Sequence, residues 1–214
     1  MTFITVTILF LLTGVLPVTL SMYFRNKKMI RDFQELAEQT GLNFALPKRK
    51  NILEAPKPAL VGDYKSRLVN MTTQKNTRQG ASLFTEIAMS CNTRWTAEVE
   101  VKSQFEDNYI YNLLYKSKSK AILTGDNSFD KHFFVKVTEE EAIKLFNETV
   151  RKFLLSHLHN INFQIEICGY EIVVNDSHLP NSDRTGGGSI AENTVYMLNF
   201  LTKLADLLEQ KRLA

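Results

Sequence analysis

Cysteine is scarce in this chain of 214 residues: there are two, Cys91 and Cys168. Two are too few for a disulfide framework, and they lack the CxxC spacing of a zinc site or a thioredoxin-like centre. Neither GxxxxGK[ST] nor GxGxxG occurs, which removes the best-marked nucleotide cradles. HExxH is missing too, and of the four histidines the pair His157 and His159 sits at i, i+2, on different sides of a helix. Basic excess is also wanting. Residues 32–214 hold 22 basic and 23 acidic side chains, so the formal net charge of +3 comes from Arg25, Lys27, Lys28 and Arg31. A body so nearly neutral gives no electrostatic case for nucleic acid.

The most informative absence is at the start. Residues 1–24, MTFITVTILFLLTGVLPVTLSMYF, carry no charged side chain. As a helix rising about 1.5 Å per residue, such a run covers a bilayer core of about 30 Å. A secretory signal peptide would need a basic leader, a shorter apolar core and a small-x-small cleavage site. Here the basic cluster follows the apolar run instead. The expectation is therefore a single transmembrane anchor over 1–24, with the N-terminus outside and the body in the cytoplasm. Residues 25–44 read as a basic juxtamembrane segment and helix, and 45–58, with three prolines, as a connector. Arg25, Lys27, Lys28 and Arg31, joined by Lys48, Arg49 and Lys50, are the candidates for contact with anionic lipid headgroups.

Residues 59–214 read as one α+β domain. Leu60–Thr72 suggests a bent strand or a hairpin around Gly62-Asp63. Thr85, Ile87, Met89 and Cys91 alternate with polar residues, as do Ala97, Val99 and Val101 with Glu98 and Glu100, the pattern of a sheet wet on one face. Residues 120–124 and 129–137 suggest a hairpin across GDNS, and 163–174 another. Thr138-x-x-Glu141 and Ser189-x-x-Glu192 read as capping boxes opening two helices. The first helix carries Ile143, Phe146, Val150, Phe153 and His157; the second carries Val195, Leu198, Leu201, Leu204 and Leu208. Strands in runs rather than in βαβ alternation predict an antiparallel sheet covered on one face by these two helices.

Two segments concentrate polar chemistry. In Thr124-Gly125-Asp126-Asn127-Ser128-Phe129-Asp130, the two carboxylates suit a cation or an acid–base pair, and on a strand Asp130 would point to the side of His132. The same residues are those a hairpin turn uses. Asp183–Ser189 feeds glycines into a helix start, so Arg184, Gly186, Gly187, Gly188 and Ser189 could hold an anion or form a plain linker. No pattern assigns a metal or a cofactor.

The stretch TGDNSFDKHFFV (124–135) resembles the TGDxxFDxxF signature of uncharacterised, membrane-anchored bacterial proteins. Leu36-Ala37…Gly41-Leu42 and Gly62-x-Tyr64-x-x-Arg67 are similar to weaker marks of that group. The resemblance implies a bacterial inner-membrane anchor and an α+β domain, and it brings no activity with it. The sequence thus favours a membrane-tethered, non-catalytic binding or scaffold module with a protein partner. The alternative is an enzyme or small-ligand sensor using Asp126, Asp130 and His132 or the 184–189 loop.

Overall fold

In the computed structural model the described residues are 16–48, 57–76, 82–93, 95–101, 122–160, 163–176 and 190–209. Eight strands form one antiparallel sheet: β1 (Asn43–Ala45), β2 (Ala59–Tyr64), β3 (Arg67–Asn76), β4 (Ser82–Ser90), β5 (Thr96–Val101), β6 (Phe133–Val137), β7 (Gln164–Cys168) and β8 (Glu171–Asp176). Their spatial order is β1-β2-β3-β4-β8-β7-β5-β6. The late hairpin β7–β8 therefore slots between β4 and β5, its register fixed by Ile87 opposite Val174 and Val99 opposite Ile165.

Strict alternation makes one face apolar. Leu60, Val69, Met71, Ile87, Met89, Ala97, Val99, Val135, Ile165, Ile167, Ile172 and Val174 are all buried. The other face carries Glu86, Glu98, Lys136 and Glu166, with Lys136 Nζ 3.1 Å from Glu98 Oε1.

Among the described residues three helices of two turns or more close the apolar face, where the sequence suggested two. They are α1 (Leu16–Thr40), α3 (Glu148–Ser156) and α4 (Ile190–Glu209); α2 (Asn127–Asp130) is a single turn. Met29, Phe33 and Leu36 of α1 belong to the same buried cluster as the sheet and α4. The helix expected to lead away from the membrane is thus part of the body, and the domain begins before residue 59. Gly41, at φ +73°, donates its N–H to Ala37 O at 2.9 Å and ends α1 in a left-handed cap. The chain then reverses directly into β1, a strand absent from the sequence reading.

Three local expectations change. The β2–β3 turn lies at Lys65-Ser66, both at positive φ (49° and 65°), a type I′ pair two residues beyond Gly62-Asp63. Residues 140–145 form a 3-10 turn whose N-cap is Glu139, with no capping side chain, and Thr138 Oγ1 instead donates to Thr96 O. The α-helix starts later: Asn147 Oδ1 accepts from Val150 N at 3.1 Å. Ser189, the second expected cap, lies outside the described residues.

Among the described residues no helix is long and apolar enough to cross a membrane; residues 1–15 of the expected span lie outside them.

The packing of α1 has a measurable consequence. Phe33→Ala should cost about 3–5 kcal/mol in urea unfolding, the usual penalty for truncating a buried phenylalanine. A fragment of residues 41–214 should lose cooperative unfolding while 25–214 keeps it. Equal stability of the two fragments would show α1 to be dispensable.

Candidate functional site

The TGDNSFD segment is a loop that folds around its own carboxylates. Asp126 is the N-cap of α2: Oδ1 accepts from Ser128 N (3.0 Å), Ser128 Oγ (2.6 Å) and Phe129 N (3.3 Å). Its Oδ2 accepts from Arg151 Nε at 3.0 Å, and the same arginine donates through Nη1 to Phe146 O at 2.6 Å. Asp130 Oδ1 accepts from Thr124 N and Thr124 Oγ1, and its Oδ2 from Gly125 N, at 2.8–3.1 Å. Gly125 sits at φ +83°, a conformation that favours glycine. Between the two carboxylates Phe129 is fully buried and stacks on Phe133, centroids 4.6 Å apart. The signature residues Thr124, Gly125, Asp126, Phe129, Asp130 and Phe133 therefore build one structural plug.

The expected hairpin across GDNS is instead this capped turn, although Ile122 does form an antiparallel bridge to Val135. Asp130 closes a helical turn and His132 lies in the turn after it, so the period-two argument that placed them on one side does not apply. Hydrogen bonds from Ser128, Phe129 and Arg151 hold the Asp126 carboxyl at about 2. A group so bound stays ionised at neutral pH and is a poor general acid.

A second constellation joins the β2–β3 turn to the last turns of α4. Arg67, its side chain 13% exposed, donates through Nη2 to Asp206 Oδ1 (2.7 Å) and Glu209 Oε2 (2.8 Å), and through Nη1 to Glu209 Oε1 and Ser90 O (both 3.0 Å). Glu209 Oε1 also accepts from Asn92 N at 2.6 Å. Nearby, Tyr64 Oη and Lys65 Nζ both donate to Asn199 Oδ1, at 2.9 and 2.6 Å. The two carboxylates, Glu209 foremost, push the Arg67 guanidinium further up and fix its charge. Lys65, Arg67, Ser90, Asn92, Asp206 and Glu209 line a cleft of about 450 Å³ together with Cys91 and Tyr170. Burial, helped by the charge of Glu209, pushes the Cys91 thiol up to about 12, so it stays protonated. Tyr170 is 81% exposed at the rim.

The sequence reading noted Arg67 as part of a motif but gave it no role, and it passed over Asn199, Asp206 and Glu209. Their signal was present: Asn199, Thr202, Asp206 and Glu209 recur at i, i+3, i+7 and i+10 on a leucine-rich helix, a polar stripe where an interior face would be apolar.

Of the remaining candidates, Arg25, Lys27, Lys28 and Arg31 lie on α1 and Lys48 is exposed after β1. Arg49, Lys50, Arg184, Gly186, Gly187, Gly188 and Ser189 lie outside the described residues. His157 caps α3, its Nδ1 2.8 Å from Phe153 O and its ring packed on Phe153 and Phe200. Among the described residues no three His, Cys, Asp or Glu side chains are grouped to hold a metal ion.

No family model matches the chain, and no curated protein matches it in sequence. Its fold is similar to that in the crystal structure of the mycobacterial trehalose monomycolate transport factor A, TtfA, with a TM-score of 0.52 at 12% identity, over 84% of this chain and 94% of that one. At this identity the two share an architecture.

The loop and the clasp give two expectations. Because the Asp126 carboxyl is held near 2 against an ordinary value of 3.8, its contribution is complete above about 4 and fades as pH falls toward 2. The stability gap between the wild type and Asp126→Asn, read from urea unfolding, should narrow from pH 5 downward; a gap independent of pH would contradict the assignment. Arg67→Lys should lose about 1–3 kcal/mol, since an ammonium cannot span Asp206, Glu209 and the Ser90 carbonyl together. A variant as stable as the wild type would show the clasp to be superficial.

Proposed function

We propose that this chain is a membrane-tethered accessory module, held at the bacterial inner membrane by residues 1–24, whose cytoplasmic domain binds a protein component of a transport system. The observation that carries the reading is the architecture shared with a transport factor. The sequence adds an uncharged apolar start followed by a basic cluster, as a positive-inside anchor requires. The disposition of polar groups points the same way. Asp126 and Asp130 are occupied by donors of their own loop and by Arg151, and Arg67 is occupied by α4. Such groups build a rigid surface. An enzyme or small-ligand sensor built on Asp126, Asp130 and His132 has less support, because both carboxylates would have to leave these partners to reach a substrate.

Tethering confines the domain to a plane and raises its effective concentration for partners embedded there. The test is in-cell crosslinking followed by detergent purification of the full chain. The matched control keeps residues 1–24 and replaces 25–214 with an inert domain. A membrane transport protein captured by the wild type and not by the control is the expected result. Capture by both, or by neither with the protein intact and inserted, would remove the accessory reading.

A further inference from the structure

Helix α1 is continuous from Leu16 to Thr40, yet its two halves live in different environments. Residues 17–25 are all exposed, and their apolar members are conspicuous: Val18, Leu20, Met22, Tyr23 and Phe24 are 41–62% exposed. From Met29 onward the same helix is locked into the core through Met29, Phe33 and Leu36. Only four residues separate Phe24 from Met29, about 7 Å of helix at its usual rise. No glycine or proline interrupts them, and Arg25, Lys27 and Lys28 lie in this interval with Arg31 just beyond.

The path of the chain carries a further basic group back from the end of α1. The reversal at Gly41 leads into β1, which contacts α1. Exposed Lys48 follows three residues beyond the end of this strand. At the opposite end, among the described residues, Asp206, Glu209 and Glu171 gather where Arg67, Lys65 and Tyr170 lie. That is also the end at which α1 stops, because a methyl group placed on Gly62 would meet Leu42 Cδ2 at 3.4 Å.

We infer that Arg25, Lys27, Lys28, Arg31 and Lys48 form a basic collar that seats the domain directly on an anionic leaflet in one fixed orientation, with the Arg67–Tyr170 end pointing away from the bilayer. The inference rests on the reading that the residues before Arg25 enter the membrane. The apolar half of α1 supplies an occupant of stated chemistry, lipid, and the collar matches the charge of its headgroups. The rigid link supplies the orientation. A flexible linker would let the domain tumble, whereas a helix that starts in the bilayer and finishes in the core transmits its tilt to the sheet.

The experiment uses the full chain in vesicles of phosphatidylcholine alone or mixed with phosphatidylglycerol. A fluorophore on exposed Cys168, at the far end (Cys91 is buried), reports its distance distribution to labelled headgroups by time-resolved energy transfer. With phosphatidylglycerol the wild type should give one narrow, long-distance population. It should broaden at least twofold in phosphatidylcholine alone, after Arg25, Lys27, Lys28, Arg31 and Lys48 are changed together to Gln, and when a Gly-Ser linker is inserted between Phe24 and Arg25. All five side chains are exposed, so the charge variant should keep its cooperative unfolding, which is checked in parallel. A broad wild-type distribution in anionic vesicles, or one unmoved by the substitutions, overturns the collar. A narrow distribution after linker insertion overturns the rigid link. Flotation separates the two levels of the argument: a chain that fails to float with vesicles overturns the anchor itself, and one that floats but tumbles overturns the orientation alone.

Discussion

A single antiparallel sheet with one apolar face is stable only if that face is covered, and the rest of this molecule follows from how the covering is done. Ile87, Met89, Val99, Ile165, Ile172 and their neighbours leave no polar group pointing inward along most of that surface. Each such side chain contributes about 1.5–3 kcal/mol when removed from water, so an uncovered sheet would associate or unfold. Helix α4 supplies much of the cover, with α3 and the C-terminal half of α1 beside it. Because β7 and β8 lie between β4 and β5, the sheet is complete only when chain more than sixty residues away has arrived.

Covering a face is not sufficient, since helices on an apolar surface can slide. Polar contacts at the borders fix the register. At one border Tyr64, Lys65 and Arg67 grip the stripe of Asn199, Asp206 and Glu209 on α4. At another, Asp126 is bound by Arg151 of α3 while Phe129 and Phe133 stack beneath. Leu36 and Leu42 are buried to either side of Gly41, the left-handed cap that lets α1 return as β1. The residues that suggested a family resemblance are thus largely those that hold helices to the sheet. A marked polar motif is easily read as chemistry; here its donors and acceptors face inward to one another.

What was legible in the sequence was what short-range pattern controls. Alternation at 85–91 and at 97–99 gave the buried face correctly, and the Leu198–Leu208 stripe gave the face of α4. Capping was harder, because Thr138 and Asn147 both precede apolar helical residues. The winner is decided by where the backbone leaves β6: Thr138 is still tied to Thr96 O, and the helix starts only after the 3-10 turn. The GDNS turn was misjudged for a related reason, since Asx residues serve hairpins and N-caps alike. Long-range facts were not legible at all. Nothing in MIRDFQEL distinguishes a helix that floats beside a membrane from one built into a core, because both need the same stripe.

The average charge of the chain also hides its arrangement. Basic and acidic residues nearly cancel over the body, yet Arg25, Lys27, Lys28 and Arg31 cluster on α1, and at the other end Asp206 and Glu209 gather around Arg67 with Lys65 nearby. Arg67 binds both carboxylates and buries its charge in doing so, while Tyr170 remains open beside it. An exposed tyrosine on a hairpin turn offers contact area at little entropic cost. A tether that held the opposite end to the membrane would keep this end turned outward. Orientation and recognition would then be set by one helix, through residues that touch no partner.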